Sequence, residues 1–250
     1  MTRLVLCGLL WLLAIAPGLV WAQTATSDED RQIANDLAAM LRAGRTVISS
    51  NQARINDPAQ GDKGLTGTVV LADSVKLFTQ ATGHDPDKFA AGSREDTLVK
   101  AQMASIAEVV DANQSTINAK GQGFKGFIPA VFARLVNEAF ERRVGTAAVM
   151  KVTAPVDLVR NRKSLPDAWE KEVIESKFLD AAWPKGQVLA ADTTVSGRPA
   201  FRLAVPEYYN ASCLSCHGSP KGDIDVTGYP KEGKQEGDLG GVISVTLFHP

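Results

Sequence analysis

The sequence predicts an α+β protein, with a helical first half and a small antiparallel sheet in the second. Three observations carry that expectation. Apolar residues recur at helical spacing through the first half. β-branched residues with partial alternation cluster after residue 146. Ser196-Gly197-Arg198-Pro199 is a turn signal that joins two of those clusters as a hairpin. Helices followed by a small sheet are the pattern of an α+β domain.

The elements follow in order. Ser27 to Asn56 reads as a long amphipathic helix with room for a bend at Gly44. Asp28, Glu29 and Asp30 sit in its first turn, where negative charge suits the helix dipole. Thr68 to Ala81 is a second helix. Thr97 to Asn118 is a third, with Met103, Ile106, Val110 and Ile117 on one face. Pro129 to Arg143 is a fourth, opened by proline at a tolerated position. Pro166 to Leu179 is a short fifth, with Trp169 as a core candidate. The expected strands are Ala147–Thr153, Gln187–Val195, Ala200–Val205 and Gly241–Leu247. Lys221 to Gly240 is rich in Gly, Lys, Asp and Glu and reads as a surface loop.

The helical half contains a duplication. Asn51-Gln52-Ala53-Arg54-Ile55-Asn56 returns 62 positions later as Asn113-Gln114-Ser115-Thr116-Ile117-Asn118. Gln60-Gly61-Asp62-Lys63-Gly64-Leu65 returns as Gln122-Gly123-Phe124-Lys125-Gly126-Phe127. Each copy reads as a helix, a Gly/Lys loop and a second helix. Two copies are too few for a solenoid. Polar residues shared at fixed loop positions separate a duplication from the chance likeness of two amphipathic helices.

Residues 1–22 have the features of a secretory signal: Arg3, an apolar run from Leu4 to Ala16, the breakers Pro17-Gly18 and a small-residue cleavage site at Val20-Trp21-Ala22. The run is short for a spanning helix, which needs about 20 residues. Cleavage after Ala22 removes Cys7, and the expected product is periplasmic with no membrane span. The whole chain has 44% hydrophobic and 22% charged residues, as an ordinary globular protein does. Its net charge of −1 gives no sign of nucleic-acid binding.

After cleavage the cysteines left are Cys213 and Cys216, in Cys213-Leu214-Ser215-Cys216-His217. C-x-x-C-H is the pattern of a c-type haem attachment site. Two thiols three residues apart reach the two vinyl groups of one haem, and the next residue is placed as the proximal iron ligand. A redox dithiol and half of a zinc site are the competing readings. A zinc site wants four ligands, yet the other histidines are only His84 and His249. Covalent haem attachment follows export in bacteria, so the leader and the pentad agree. The pentad implies one covalent haem c per chain.

Further motifs surround the pentad. They are Phe124-Lys125-Gly126-Phe127-Ile128-Pro129-Ala130-Val131-Phe132, Arg160-Asn161-Arg162, Pro166-Asp167-Ala168-Trp169-Glu170, Gly218, Lys221-Gly222-Asp223, Gly228 and Gly237-Asp238-Leu239-Gly240-Gly241-Val242-Ile243-Ser244-Val245. With these the chain resembles, from about Thr97 to its end, the periplasmic haem-c-binding domains of PAS-like fold. That family occurs as single-domain cytochromes and as sensor domains of chemoreceptors and histidine kinases. The resemblance implies an antiparallel sheet of four to five strands flanked by helices, with haem against the sheet. Residues 23–96 would then be an extra N-terminal helical layer before a haem-binding domain at 97–250. It also implies a distal cysteine or methionine from a helix near the N-terminus, and no cysteine outside the leader and pentad can serve.

The repeat suggests that Thr97–Asn118 is the distal helix, which makes Met103 the first candidate for the sixth ligand. A methionine on an apolar stripe is also ordinary core filler. His84, His249, Met40, Met150 and an open position are the alternatives. Arg160, Arg162 and Lys163 form either a contact for haem propionates or a solvated basic loop. Asp223 and Asp225 lack the rest of a calcium-loop pattern. No residues suggest hydrolysis, and an enzyme such as a peroxidase finds no supporting acid–base residue near the pentad, so the chain reads as a carrier or sensor and not as an enzyme. Two functions stand: one-electron transfer between periplasmic redox partners, as the main expectation, or a redox or diatomic-gas sensor acting on a separate kinase or receptor. The lack of a fused output segment places the carrier slightly ahead.

Overall fold

The computed structural model describes residues 28–249; the expected leader lies outside the described residues. The first helix, α1 (Asp28–Ser50), keeps its acidic first turn and buries Ile33, Leu37, Met40, Leu41, Val47 and Ile48. It runs through Gly44 unbroken. A Cβ there would lie 3.0 Å from the Phe132 ring, so Gly44 seats an aromatic side chain and does not bend the helix. The break falls at Asn51, before the single turn α2 (Gln52–Ile55). Helix α3 (Gly67–Thr82) starts at a Thr66 side-chain cap and closes at Gly83 in the left-handed region, φ 75°. Then come α4 (Arg94–Ala112), the turn α5 (Gln114–Ile117) and α6 (Pro129–Val144).

The duplication is visible in hydrogen bonds that cross between the copies. Asn118 Oδ1 accepts the Lys63 N–H at 2.8 Å, and Asn56 Oδ1 accepts the Lys125 N–H at 3.0 Å. Gln114 donates to the Leu65 carbonyl at 2.8 Å, and Gln52 donates to the Phe127 carbonyl at 3.0 Å. Each pair is related by the 62-residue shift. Buried loop backbone needs hydrogen-bond partners, and each copy supplies them to the other. The two lysines are buried and converge on one carbonyl. Lys63 Nζ donates to Asp57 O at 2.5 Å, and Lys125 Nζ donates to the same oxygen at 3.2 Å.

The second half builds a four-stranded antiparallel sheet of order β1-β4-β3-β2. The strands are β1 (Ala148–Thr153), β2 (Leu189–Val195), β3 (Arg198–Tyr208) and β4 (Leu239–Phe248). Ser196 and Gly197, both with positive φ, close the β2–β3 hairpin. Strand β3 runs past the expected Val205 and includes Pro206. Its pairing with β2 ends at Ala204, so beyond that point β3 is an edge, where proline is tolerated. Helix α7 (Ala168–Val173) begins with an Asp167–Glu170 capping box and ends in a wide turn through Phe178.

Side chains alternate across the sheet. Met150, Phe201, Leu203, Val205, Ile243, Val245 and Leu247 join the helices of both repeat copies in one core. Ala204, Leu239 and Val242 on the other face pack against Val173, Ile174 and Phe178, with Trp169 beside them. The architecture is the expected PAS-like α+β fold with an added N-terminal helical layer. That layer forms one continuous core with the sheet. No helix among the described residues is long and apolar enough to cross a membrane.

Candidate haem site

The pentad follows the end of β3. Tyr209 continues the strand direction, its N–H bonded to Asp238 O at 2.9 Å. Asn210 caps the next turn through Ser212 N, and Leu214–His217 form the single helical turn α8. Cys213 precedes that turn and Cys216 lies within it, so the thiols stand one turn apart, near one face. Both are unbridged and partly exposed. Gly218 ends the turn. A Cβ there would lie 2.5 Å from Leu214 O, so no larger residue fits directly after His217.

His217 is held from two sides. Its Nδ1 lies 2.8 Å from Glu232 Oε2. A carboxylate only accepts, so Nδ1 carries the proton, and in the neutral ring Nε2 holds the free lone pair. The Tyr209 ring stacks on the imidazole at 4.8 Å between centroids and 26° between planes. Gly240 makes room for that ring: a Cβ there would lie 2.7 Å from it. Burial, with the nearby Glu232 charge second, holds the Tyr209 hydroxyl well above its usual range.

Arg160 ties this side together. Its Nε donates to Glu232 Oε1 at 2.8 Å, and NH1 donates to Asp225 Oδ2 at 2.7 Å. NH2 donates to the Cys216 carbonyl at 3.0 Å. Burial opposes the charge on Glu232, but the hydrogen bonds from Arg160 and His217 outweigh it and hold its carboxyl below the usual range. Asp225 is also buried. Hydrogen bonds from Thr227 and Arg160 hold its carboxyl far below that range. Asp225 therefore serves Arg160 and its own loop, whose N–H groups at Thr227 and Tyr229 it accepts.

Residues nominated from sequence divide into two groups. Cys213, Cys216, His217 and Arg160 come together. Arg160 has all its donor groups engaged by the loop and pentad. Arg162 and Lys163 are exposed, and Lys163 reaches Glu138 only at 3.9 Å.

Met103 does not come to the pentad. It packs against the main core on α4, next to Gln102, which donates to Leu37 O at 3.0 Å. Ser49 on α1 borders the pentad, with its Oγ 3.5 Å from the Oγ of Ser212, the residue before Cys213. Leu37 is twelve residues earlier, about 18 Å along the helix. Met40 is fully buried on the same helix, and Met150 Sδ accepts from Gln102 at 3.2 Å in the core. His84 bonds Asp36 at 2.9 Å, roughly 20 Å up α1 from Ser49. The His249 N–H donates to Pro199 O at 3.1 Å, at the start of β3, and the pentad follows the other end of that 11-residue strand.

Sequence reasoning missed three things here. Glu232 sits in a stretch whose composition reads as a surface loop. The helix beside the pentad is α1 and not its repeat α4. Two arginines on α1, Arg42 and Arg45, pair with Glu207 at 2.6 and 2.5 Å on the last stretch of β3. Their spacing of three on one helix was the available signal.

The donors fit a c-type haem. Two unbridged thiols on one turn precede an imidazole whose Nδ1 is engaged and whose Nε2 is left for a metal. Among the described residues no group of three or more His, Cys, Asp or Glu side chains is placed to hold a metal ion, so the geometry lends nothing to the zinc reading.

Compared with known proteins, the chain matches the Tll0287-like family, Tll0287, over residues 23–247. The chain belongs to the Tll0287-like family. This is a haem-associated module of sensor or redox type. The match takes in both copies of the helical repeat, so the family unit extends further toward the N-terminus than the resemblance from Thr97 onward. No curated protein and no solved structure matches the chain significantly.

Proposed function

We propose that this Tll0287-like chain is an exported, periplasmic, monohaem c-type module that senses redox state or a diatomic gas and reports to a separate receptor or kinase. Cys213 and Cys216 would hold one haem by thioether bonds, with His217 Nε2 as proximal ligand. Haem so held supplies a reversible one-electron couple and, where the sixth position is open, a site for a small ligand. The chain's own residues prepare that site. Glu232 sets the His217 tautomer, Tyr209 covers one face of the imidazole, and Arg160 fixes the loop and the Cys216 carbonyl. We assign no catalytic residue.

The observation that supports sensing over electron transfer is the placement of Met40, Met103, Met150, His84 and His249. Each is built into the core or into another part of the surface. To bring Met103 level with Ser49, the helices would have to slide by about three turns. An unclaimed sixth position suits a ligand sensor. The second reading, a carrier between periplasmic redox partners, draws on the partial exposure of Cys213 and Cys216, which leaves an edge of the site open to a partner.

Carbon monoxide separates the two. Added to the reduced protein, it should shift the Soret band without loss of the attached haem. A reduced c-type spectrum that CO leaves unchanged would mean a closed site and return the assignment to electron transfer.

A further inference from the structure

We infer that Glu232 is a positioning residue that gives the proximal His217 anionic character and so stabilises the oxidised state of the iron it would bind. The inference rests on the proposed haem attachment and goes beyond it.

Three features of the structure support it. First, the contact is a built one. Lys231 N donates to Asp223 O at 2.8 Å, and Gly222 N donates to Lys231 O at 2.9 Å. Past Glu232, Gly233 N donates to Gly218 O at 3.2 Å, and Lys234 N donates to His217 O at 2.8 Å. The backbone on both sides of Glu232 is thus tied to the segment that carries the pentad. Second, the carboxylate is shielded. Its side chain is 15% exposed, so water screens its charge only partly.

Third, the charges do not cancel. Arg160 brings one positive charge to two carboxylates, Asp225 at 2.7 Å and Glu232 at 2.8 Å. One negative charge is left over, and its remaining close hydrogen-bond donor is the His217 Nδ1–H. A metal-bound histidine whose other N–H meets a carboxylate is a stronger base than one that meets a carbonyl. A stronger donor and a nearby negative charge both favour the more positive metal state. The loop from Lys221 to Gly240 would therefore set the redox poise of the site. His217 and Glu232 are 15 residues apart, so insertions or replacements between them could retune it without touching the pentad.

The test uses the full chain matured in a bacterial periplasm, wild type beside Glu232→Gln. Gln keeps the size and an acceptor oxygen but removes the charge. Covalent haem is verified first by mass. The variant should raise the midpoint potential so that the reduced-to-oxidised ratio at fixed ambient potential grows at least tenfold, about 59 mV for one electron. A change below twofold, with haem attached in both proteins, would overturn the role of Glu232 and leave haem attachment standing. If the wild type carries no covalent haem, both fall together. Should E232Q fail to mature, the wild type alone decides. Its iron–histidine stretch, read by resonance Raman after CO photolysis, should lie with carboxylate-bonded histidines. A value in the range of carbonyl-bonded histidines would overturn the inference.

Discussion

The two copies of the helical repeat share their interior and differ at the edge that meets the pentad. Inside, the same Gln and Asn positions bond the opposite copy's loop in both directions. At the edge, Arg42, Arg45 and Ser49 of α1 correspond to Ala104, Ala107 and Asp111 of α4. Asp111 Oδ1 accepts the Gly67 N–H at 2.6 Å and so caps α3 from the other copy. The position equivalent to Gly67 is Pro129, which has no N–H to satisfy. Ser49 is thus released from the role that Asp111 performs, and it lies against Ser212 beside the pentad. The polar interior keeps the copies folded together. A proline at one equivalent position leaves one helix end available for the site.

Breaking the shared interior should have the largest effect. Asn118→Ala removes the acceptor for Lys63 N and the donor to Gln114 Oε1. Asn56→Ala does the same for Lys125 N and Gln52. Each should cost about 1–3 kcal/mol, the usual penalty for a buried group left unpaired. Urea unfolding of the two variants should give matching losses. A loss in one and none in the other would end the claim of equivalence.

The edge should be asymmetric. Asp111→Ser shortens the cap of α3 and should cost about 1 kcal/mol, as lost caps do. Ser49→Asp places the same group opposite Pro129, which offers no donor, and should gain nothing. Equal effects in the two variants would refute the account of why Ser49 is free to border the pentad.

The smallest expected effect is a pH dependence from the buried Lys125. Burial, with the close Lys63 second, holds Lys125 below the usual lysine range. A lysine whose folded pKa is depressed makes the unfolded chain bind more protons between the folded value and about 10.5. Stability therefore rises with pH across that window. Thermal unfolding from neutral to alkaline pH should show wild type gaining on Lys125→Met as pH rises. Parallel curves would assign the shift no role in stability.

Much of this was legible in the sequence, and the residues explain which parts. The repeat was legible because Asn51-Gln52 and Asn113-Gln114 are polar and fixed by backbone they must satisfy. The grouping of Cys213, Cys216 and His217 was legible because the residues are nearly contiguous and one turn holds them together. Met103 was not legible, since an apolar helix face looks the same whether it meets a sheet or a cofactor. The choice of α1 over α4 was hidden for the same reason, as both helices carry the same inner face. The Glu232–His217 contact was hidden because it depends on how a Gly-rich loop returns, and no periodicity records that. The run of β3 past Val205 was hidden because proline is tolerated in a strand only at an edge or bulge, and sequence does not show which strand positions are edges.

The most direct test of the central claim is the intact mass, under denaturing conditions, of the chain expressed with periplasmic haem maturation, beside its Cys213→Ala/Cys216→Ala variant. The account predicts one haem added to the wild type, located to the peptide that carries Cys213 to His217, and none added to the variant. Two free thiols and no added mass in the wild type, or haem retained by the variant, would contradict it.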